Sequence, residues 1–150
     1  MTAANLDGSW IGQHAATLLS ERFDGLPVAV LNDADAAGLA EIRFGAGVDK
    51  PGVILVVTLG TLLGTALFSG GNLVPNTEFG HLMLGTQEAE VVASARVEVE
   101  EGLDWNTWSK HLRSFLSELE RLIWPDLIIV GGRVSEEFVR FCEQIGWSRR

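Results

Sequence analysis

The chain has 150 residues, of which 47% are hydrophobic and 21% charged, and its formal net charge is −9. This composition excludes an intrinsically disordered chain, which combines few hydrophobic residues with high charge, and the acidic balance disfavours a nucleic-acid-binding protein. The apolar runs are shorter than the roughly 18 residues of a membrane span, and we expect no signal peptide. A single cysteine, Cys142, leaves no intramolecular disulfide, so we predict a cytoplasmic protein without membrane or nucleic-acid partners.

The first third of the chain alternates helical and strand patterns. A helix is predicted from Trp10 to Leu19, with Ser9 as its N-cap. The short apolar run Pro27–Leu31 predicts a buried strand. The alanine-rich segment Ala34–Arg43 favours a second helix, which ends at the glycines that follow it.

Three strands are predicted in the middle of the chain. Val53–Thr58 is the strongest strand pattern, and its aliphatic run indicates burial on both faces. Thr65–Ser69 follows after a turn, and the glycine-rich turn at Gly70–Asn72 leads into Leu73–Pro75. These strands are therefore expected to form an antiparallel meander.

The next segments are predicted as a loop and two helices. Asn76–Ala89 is predicted as a loop and Glu90–Glu101 as a charged helix, and Asp104 is the predicted N-cap of the helix that follows. Apolar residues at spacings of three and four indicate the buried face of this helix. They are Trp105, Trp108, Leu112, Phe115, Leu119 and Leu122.

The chain closes on one more strand and helix. Pro125 ends the long helix, Asp126–Val130 is a predicted buried strand, and Ser135 is the predicted cap of a final helix over Glu136–Ile145. Alternating strands and helices with one meander predict an α/β fold built in layers.

Asn32 and Asp33 lie where the first predicted strand meets a helix. Ligands of open α/β sheets collect at the carboxyl ends of strands, and a carboxylate there can accept a proton from a substrate hydroxyl. The alternative is that Asp33 only caps the helix, because aspartate is common at that position.

Two further segments carry polar residues suited to ligands. Thr58–Thr65 contains glycines and hydroxyls between two strands, and backbone N–H groups of such a turn can converge on phosphate, although an ordinary hairpin has the same composition. Glu78 and His81 could bind the hydroxyls of a polar ligand, although such a pair is also common without a function. No cysteine cluster completes a zinc site. Together these segments indicate phosphoryl transfer to a sugar-like alcohol.

Five segments in this order resemble the ROK family of sugar kinases, and within it the polyphosphate glucokinases of actinobacteria. They are Ser9–Gly12, Val30–Gly38, Thr58–Thr61, Val74–His81 and Trp124–Gly132. The resemblance implies the ribonuclease H-like α/β fold of the actin, sugar kinase and Hsp70 superfamily. It also implies that this fold is incomplete, with residues 1–33 a remnant of the N-terminal lobe and 34–150 most of the C-terminal lobe.

The resemblance also implies a role for each matching residue. Asp33 corresponds to the base that takes the proton of the glucose 6-hydroxyl, and Asn32, Glu78, His81 and Glu90 (with Ser94 four residues on) correspond to sugar-binding residues. The phosphate-binding turn corresponds to Thr58, Gly60, Thr61 and Gly64. The nucleotide side of the cleft corresponds to Gly131 and Gly132.

The implied substrates are glucose and a phosphoryl donor, either polyphosphate or ATP, with Mg²⁺ accompanying the donor. We expect no zinc, because the cysteine-rich motif that many ROK proteins carry has no counterpart here. The basic residues are scattered rather than clustered for a polyanion. They include Arg43, Lys50, Arg96, Lys110, Arg113 and Arg133.

The sequence departs from the ROK pattern in length and at two glycines. Family members are longer and begin with an Asp-Ile-Gly-Gly phosphate motif. We therefore expect the chain to be truncated at both ends and to show little kinase activity by itself. A homodimer or a complementing fragment is the partner that could complete it. Leu62 and Arg133 replace motif glycines, and we expect them to strain the backbone or hinder phosphate. The alternative function is a non-catalytic remnant that still binds sugar.

Overall fold

A computed structural model describes residues 8–96, 102 and 104–146 of the chain. Contacts divide the chain into two units, Met1–Leu31 and Asn32–Arg150. The predicted lobe boundary after residue 33 stays a prediction. The predictions for both chain ends and for residues 97–101 of the charged helix lie outside the described residues.

The first unit contains a 3₁₀ turn at Gly8–Trp10 and helix α1 at Ala15–Arg22. The prediction of a helix from Trp10 was wrong in its start, because Gly12 takes a φ of +80° that a helix does not allow. The predicted strand Pro27–Leu31 was also wrong. A strand requires a hydrogen-bonded neighbour, and none pairs with this segment among the described residues.

Among the described residues, the second unit combines two longer helices, short helical turns and six strands. The strands are β1 (Val53–Leu59), β2 (Leu63–Ser69), β3 (Asn72–Val74), β4 (Met83–Leu84), β5 (Gln87–Glu88) and β6 (Leu127–Gly131). The α-helices with both ends described are α2 (Asp33–Phe44), α3 (Ala89–Ala93), α4 (Trp105–Ile123) and α5 (Cys142–Ile145). The prediction of one helix from Glu90 was wrong in its bounds, because α3 begins at Ala89 and ends before Ser94, whose backbone is extended. Two 3₁₀ helices span Phe79–His81 and Arg133–Arg140.

The main sheet has the strand order β3-β2-β1-β6. β1 pairs antiparallel with β2, β2 pairs antiparallel with β3, and β1 pairs parallel with β6. The predicted meander is therefore confirmed, and β6 extends it by a parallel neighbour. The two short strands β4 and β5 form a separate hairpin inside the segment predicted as a loop.

The central strand β1 is buried on both faces, as its aliphatic run predicted. Ile54 and Val56 pack in one cluster with residues of α2, whereas Leu55 and Val57 pack in another with residues of α4. The alternation follows from the two-residue period of a strand. The predicted layered α/β architecture is thus confirmed.

Helix α4 has the predicted cap and most of the predicted face. The Asp104 carboxylate accepts hydrogen bonds from the N–H groups of Asn106 and Thr107, each at 3.0 Å. Trp108 is fully buried, and its indole N–H donates to the Ser94 carbonyl at 3.0 Å. Leu122 is 55% exposed, so its predicted place in the core was wrong.

The last segment was predicted as one helix and is two. A 3₁₀ helix runs over Arg133–Arg140 with non-helical angles at Glu137, and α5 follows. The N-cap position of this 3₁₀ helix is Gly132, so the prediction of Ser135 as the cap was wrong. The Ser135 hydroxyl instead donates to the Gly132 carbonyl. Within the described residues, no helix has the length and apolar character needed to cross a membrane.

Candidate active site

The residues implied in phosphate binding and those implied on the nucleotide side of the cleft meet where three strands of the main sheet lie side by side. Thr58, near the end of β1, pairs with Gly64 of β2 on one side and with Gly131 of β6 on the other. Gly60 and Thr61 form the turn between β1 and β2, and Thr61 is exposed. Glycines and hydroxyls therefore line these strand ends, which is the arrangement expected from the sequence.

The first turn of α2 packs directly against these strand ends. A Cβ added at Gly64 would lie 2.9 Å from the Cβ of Ala34 and in conflict with the Thr58 hydroxyl, so only glycine allows this approach. The close packing places Asn32 and Asp33 beside the strand ends. The helix N-terminus also favours negative charge at this point.

The cap of α2 is Asn32 and not Asp33. The Asn32 side-chain oxygen accepts hydrogen bonds from the N–H groups of Ala34 at 2.9 Å and Asp35 at 3.2 Å. Asp33 is the first residue of the helix and is exposed, and its Oδ1 accepts from the Ala34 N–H at 2.9 Å. The alternative in which Asp33 serves only as the cap was therefore wrong.

Asn32 also connects the helix to the loop that carries Glu78. Because its oxygen faces the helix, its Nδ2 is directed outward and donates to Glu78 Oε1 at 3.4 Å. The structure thus brings together two of the predicted sugar-binding residues, separated by 46 positions in the chain.

Buried contacts hold the loop around Glu78 and His81. The Thr65 hydroxyl donates to the Thr77 carbonyl at 2.9 Å and accepts from the Phe79 N–H at 3.2 Å. Gly80 is buried, and a Cβ there would lie 2.9 Å from the Leu63 carbonyl oxygen. The loop is therefore fixed to β2, next to the strand ends that carry Thr58 and Gly64.

His81 faces two carboxylates. Its Nδ1 lies 2.9 Å from Glu88 Oε2 and 3.8 Å from Glu90 Oε1. The hydrogen bond with Glu88 raises the pKa of His81 above its ordinary value of 6.5, and the negative charges of Glu90, Glu88 and Glu78 add to the increase, against a smaller lowering by burial. Glu88 was missed in the sequence, where nothing but its place seven residues after His81 indicates the contact.

Among the described residues, His81, Glu88 and Glu90 are a group of His and Glu side chains placed so that they could hold a metal ion. Their ligand atoms lie within 4.8 Å of one another. One imidazole and two carboxylates can also hydrogen-bond several hydroxyls at once. The arrangement is compatible with a polyhydroxylated ligand, the role suggested by the sequence for Glu78 and His81 and implied by the resemblance for Glu90.

We expect the Glu88→Gln variant to lower the pKa of His81. The amide keeps the size of the side chain but removes its charge and the strong acceptor for the protonated imidazole. Any stability gained from this pair is present below about pH 6.5 and is lost as the pH rises through the raised pKa of the folded state. NMR titration of the His81 ring would measure the midpoint in both proteins, with His111 as internal control. An unchanged His81 midpoint would contradict the prediction.

The two residues that replace motif glycines do not have a strained backbone. Leu62 and Arg133 are absent from the residues with positive φ, so the expected backbone strain was wrong. Leu62 lies in the turn itself, where its carbonyl accepts from the Gly60 N–H at 3.2 Å. The Ala95 N–H donates to the Gly60 carbonyl at 3.0 Å and supports the turn from outside.

Similarity to known proteins agrees with this architecture. The chain is 46% identical to a polyphosphate glucokinase of Mycobacterium tuberculosis over 136 residues, which are 91% of this chain and 51% of the relative. It is 44% identical to the polyphosphate glucokinase of Mycobacterium leprae over 93% of this chain and 43% of the relative. The chain thus spans about half the length of the curated relatives it matches. No family model matches it.

Two solved structures share the fold. An inorganic polyphosphate/ATP-glucomannokinase from Arthrobacter sp. strain KM superposes with a TM-score of 0.88 at 46% identity, covering 95% of this chain and 56% of that one. A ROK family glucokinase from Streptomyces griseus, in complex with glucose and AMPPNP, gives a TM-score of 0.71 at 26% identity over 86% of this chain and 60% of that one. The resemblance to ROK sugar kinases and the fold it implied are confirmed.

Proposed function

Because the chain is a homologue of the polyphosphate glucokinases over about half of their length, we propose that it contributes the sugar site of a glucokinase-type phosphotransferase. The substrate is glucose, and the donor is polyphosphate or ATP. The observation that carries the proposal is the hydrogen bond from Asn32 to Glu78, because Asn32 directly precedes Asp33 in the chain. It joins the proposed base to the proposed sugar-binding loop beside a glycine-rich strand edge.

Asp33 acts as the general base in this proposal. Its carboxylate accepts the proton of the glucose 6-hydroxyl while the hydroxyl oxygen attacks the terminal phosphorus of the donor. The bond from that phosphorus to the bridging oxygen breaks, and the leaving group is ADP or a polyphosphate shortened by one unit. Because such transition states are loose, catalysis depends mainly on positioning and charge stabilisation.

The remaining residues position the two substrates. Asn32, Glu78, His81 and Glu90 bind the sugar hydroxyls and orient the 6-hydroxyl towards Asp33. The turn at Thr58–Gly64 offers backbone N–H groups and hydroxyls to the transferred phosphoryl group. Gly131 and Gly132 keep the neighbouring strand end free of side chains, which leaves room for the donor.

The oxygen groups at these strand ends fit Mg²⁺. The hydroxyls of Thr58 and Thr61 are oxygen donors, the class that Mg²⁺ prefers, and they would hold the ion through its waters, which leaves the Asp33 carboxylate to act as the base. When bound with the donor, Mg²⁺ would neutralise charge on the phosphates.

Glucose titration by calorimetry tests the proposal, since every proposed sugar-binding residue lies in Asn32–Arg150. We expect the chain to bind glucose, and Glu78→Ala and His81→Ala each to weaken binding by about 1–3 kcal/mol, because sugar hydroxyls lose their partners. Glu120→Ala, on the exposed face of α4, is the matched control. Formation of glucose 6-phosphate with each donor and Mg²⁺ would identify the donor. Affinity that is unchanged in both site variants would refute the sugar site.

A further inference from the structure

Asp35 is a buried carboxylate that the proposed reaction does not use. It is 1% exposed, although it lies in the first turn of α2, only two residues after the exposed Asp33. Burial of a carboxylate is costly unless hydrogen bonds compensate for it. Its retention in the core therefore calls for a specific contact.

That contact is with the loop that carries Glu78. Asp35 Oδ2 accepts a hydrogen bond from the backbone N–H of Asn76 at 3.1 Å, and Oδ1 has no partner among the described residues. Asn76 has a φ of +60°, in the left-handed region that asparagine tolerates. The carboxylate thus contacts the loop at the residue where its backbone turns, two positions before Glu78.

Two hydrogen bonds therefore join the first turn of α2 to this loop, and they differ in strength. The bond from Asn32 to Glu78 is long, at 3.4 Å, and exposed, so water competes with it. The bond from Asn76 to Asp35 is shorter and partly buried, and its acceptor is an ionisable group. The partly buried bond is the one that can fix the distance between the helix and the loop.

We propose that Asp35 is a positioning residue, which sets the separation between Asn32 and Asp33 on the helix and Glu78 on the loop by holding the Asn76 N–H. This inference rests on the proposed function for its effect on sugar binding. The hydrogen bond from the Asn76 N–H to Asp35, called the clamp below, is independent of any ligand. Asn32 and Asp35 act from the same helical turn, because the Asn32 side chain also accepts from the Asp35 N–H.

Two substitutions separate the acceptor from the rest of the side chain. Asp35→Asn retains an oxygen that can accept from Asn76, whereas Asp35→Ala removes it and leaves the Asn76 N–H without this partner. Ile128→Val, on β6, is the control for general destabilisation, since it trims one methylene from a half-buried side chain that packs on the α4 side of the sheet.

Amide hydrogen exchange of the ligand-free protein is the first measurement. We expect the Asn76 amide to be protected in wild type, Asp35→Asn and Ile128→Val, and to exchange at least about 10-fold faster in Asp35→Ala. Equal Asn76 protection in Asp35→Ala and Ile128→Val would overturn the inference. Loss of protection in Asp35→Asn would overturn it too, so the test stands even where Asp35→Ala fails to fold.

Glucose titration of the same proteins is the second measurement. We expect Asp35→Ala to weaken binding by about 10-fold or more and Asp35→Asn by less than about 3-fold, since a displaced loop misplaces Glu78. Normal affinity in Asp35→Ala with an unprotected Asn76 would overturn the positioning role. If wild type binds no glucose while the exchange pattern is as expected, the proposed function fails and the clamp is supported.

Discussion

Replacing Asp33 with Asn should lower the turnover of glucose phosphorylation by about 10²–10⁴-fold while leaving glucose affinity nearly unchanged. Loss of a general base typically has an effect of this size. The substitution should preserve the fold, because the cap of α2 is Asn32 and an asparagine at 33 keeps an oxygen that can accept from the Ala34 N–H. A loss of turnover would therefore report on the proton transfer rather than on the helix.

The control for this prediction is Asp49→Asn, which removes a carboxylate from an exposed turn at a left-handed position that asparagine tolerates. Turnover is measured with glucose, Mg²⁺ and each donor, in whichever form of the protein is active, this chain or a longer product that contains it. Calorimetry on the same samples gives the glucose affinity. Retained turnover in Asp33→Asn would exclude Asp33 as the base, and an equal loss in both variants would trace the effect to net charge.

The sequence predicted those parts of the fold whose signal is local. The strands predicted at Val53–Thr58 and Asp126–Val130 form as β1 and β6, with bounds that differ by one residue, because short aliphatic runs can be buried on both faces of a covered sheet. Helix α4 follows from its three- and four-residue spacing and from Asp104, which caps it. Each of these signals is contained within one segment, so no knowledge of the neighbouring segments was needed.

Errors arose where the outcome depends on a partner. Pro27–Leu31 has the composition of a strand, but a strand forms only with a paired neighbour, and among the described residues it has none. Asp33 was considered as the cap of α2 as an alternative to its role as a base, although Asn32 and Asp33 are both good capping residues and only the backbone angles distinguish them. Composition cannot decide such cases.

The candidate site shows the same division. The glycine and hydroxyl turn and the Glu78 and His81 pair were visible as motifs, and the family resemblance supplied their roles. Glu88 and Asp35 were not singled out, because their importance comes from contacts with His81 and with the Asn76 backbone. Residues that act through a neighbour become apparent only when that neighbour is in place.

Replacing Gly132 with Ala should destabilise the protein by about 2–6 kcal/mol, the sum of two unfavourable effects. Gly132 has φ 86° and ψ 170°, a region that is essentially restricted to glycine and costs other residues about 1–3 kcal/mol. A Cβ there would also lie 2.6 Å from the carbonyl oxygen and 2.8 Å from the nitrogen of Leu59, which are backbone atoms of the central strand and cannot move aside easily. Such overpacking costs about 1–3 kcal/mol more.

Gly131→Ala is the matched control, because an added Cβ there meets nothing within 4 Å and its φ is not positive. We expect it to change stability by less than about 0.5 kcal/mol. Urea unfolding of both variants measures the difference. Since Leu59 directly precedes the turn that begins at Gly60, the Gly132→Ala variant should also shift the amide signals of Gly60 and Thr61, whereas Gly131→Ala should not. Equal stability of the two variants would show that the end of β6 does not pack on Leu59. The close approach of Gly132 to the strand end at Leu59 would then be contradicted.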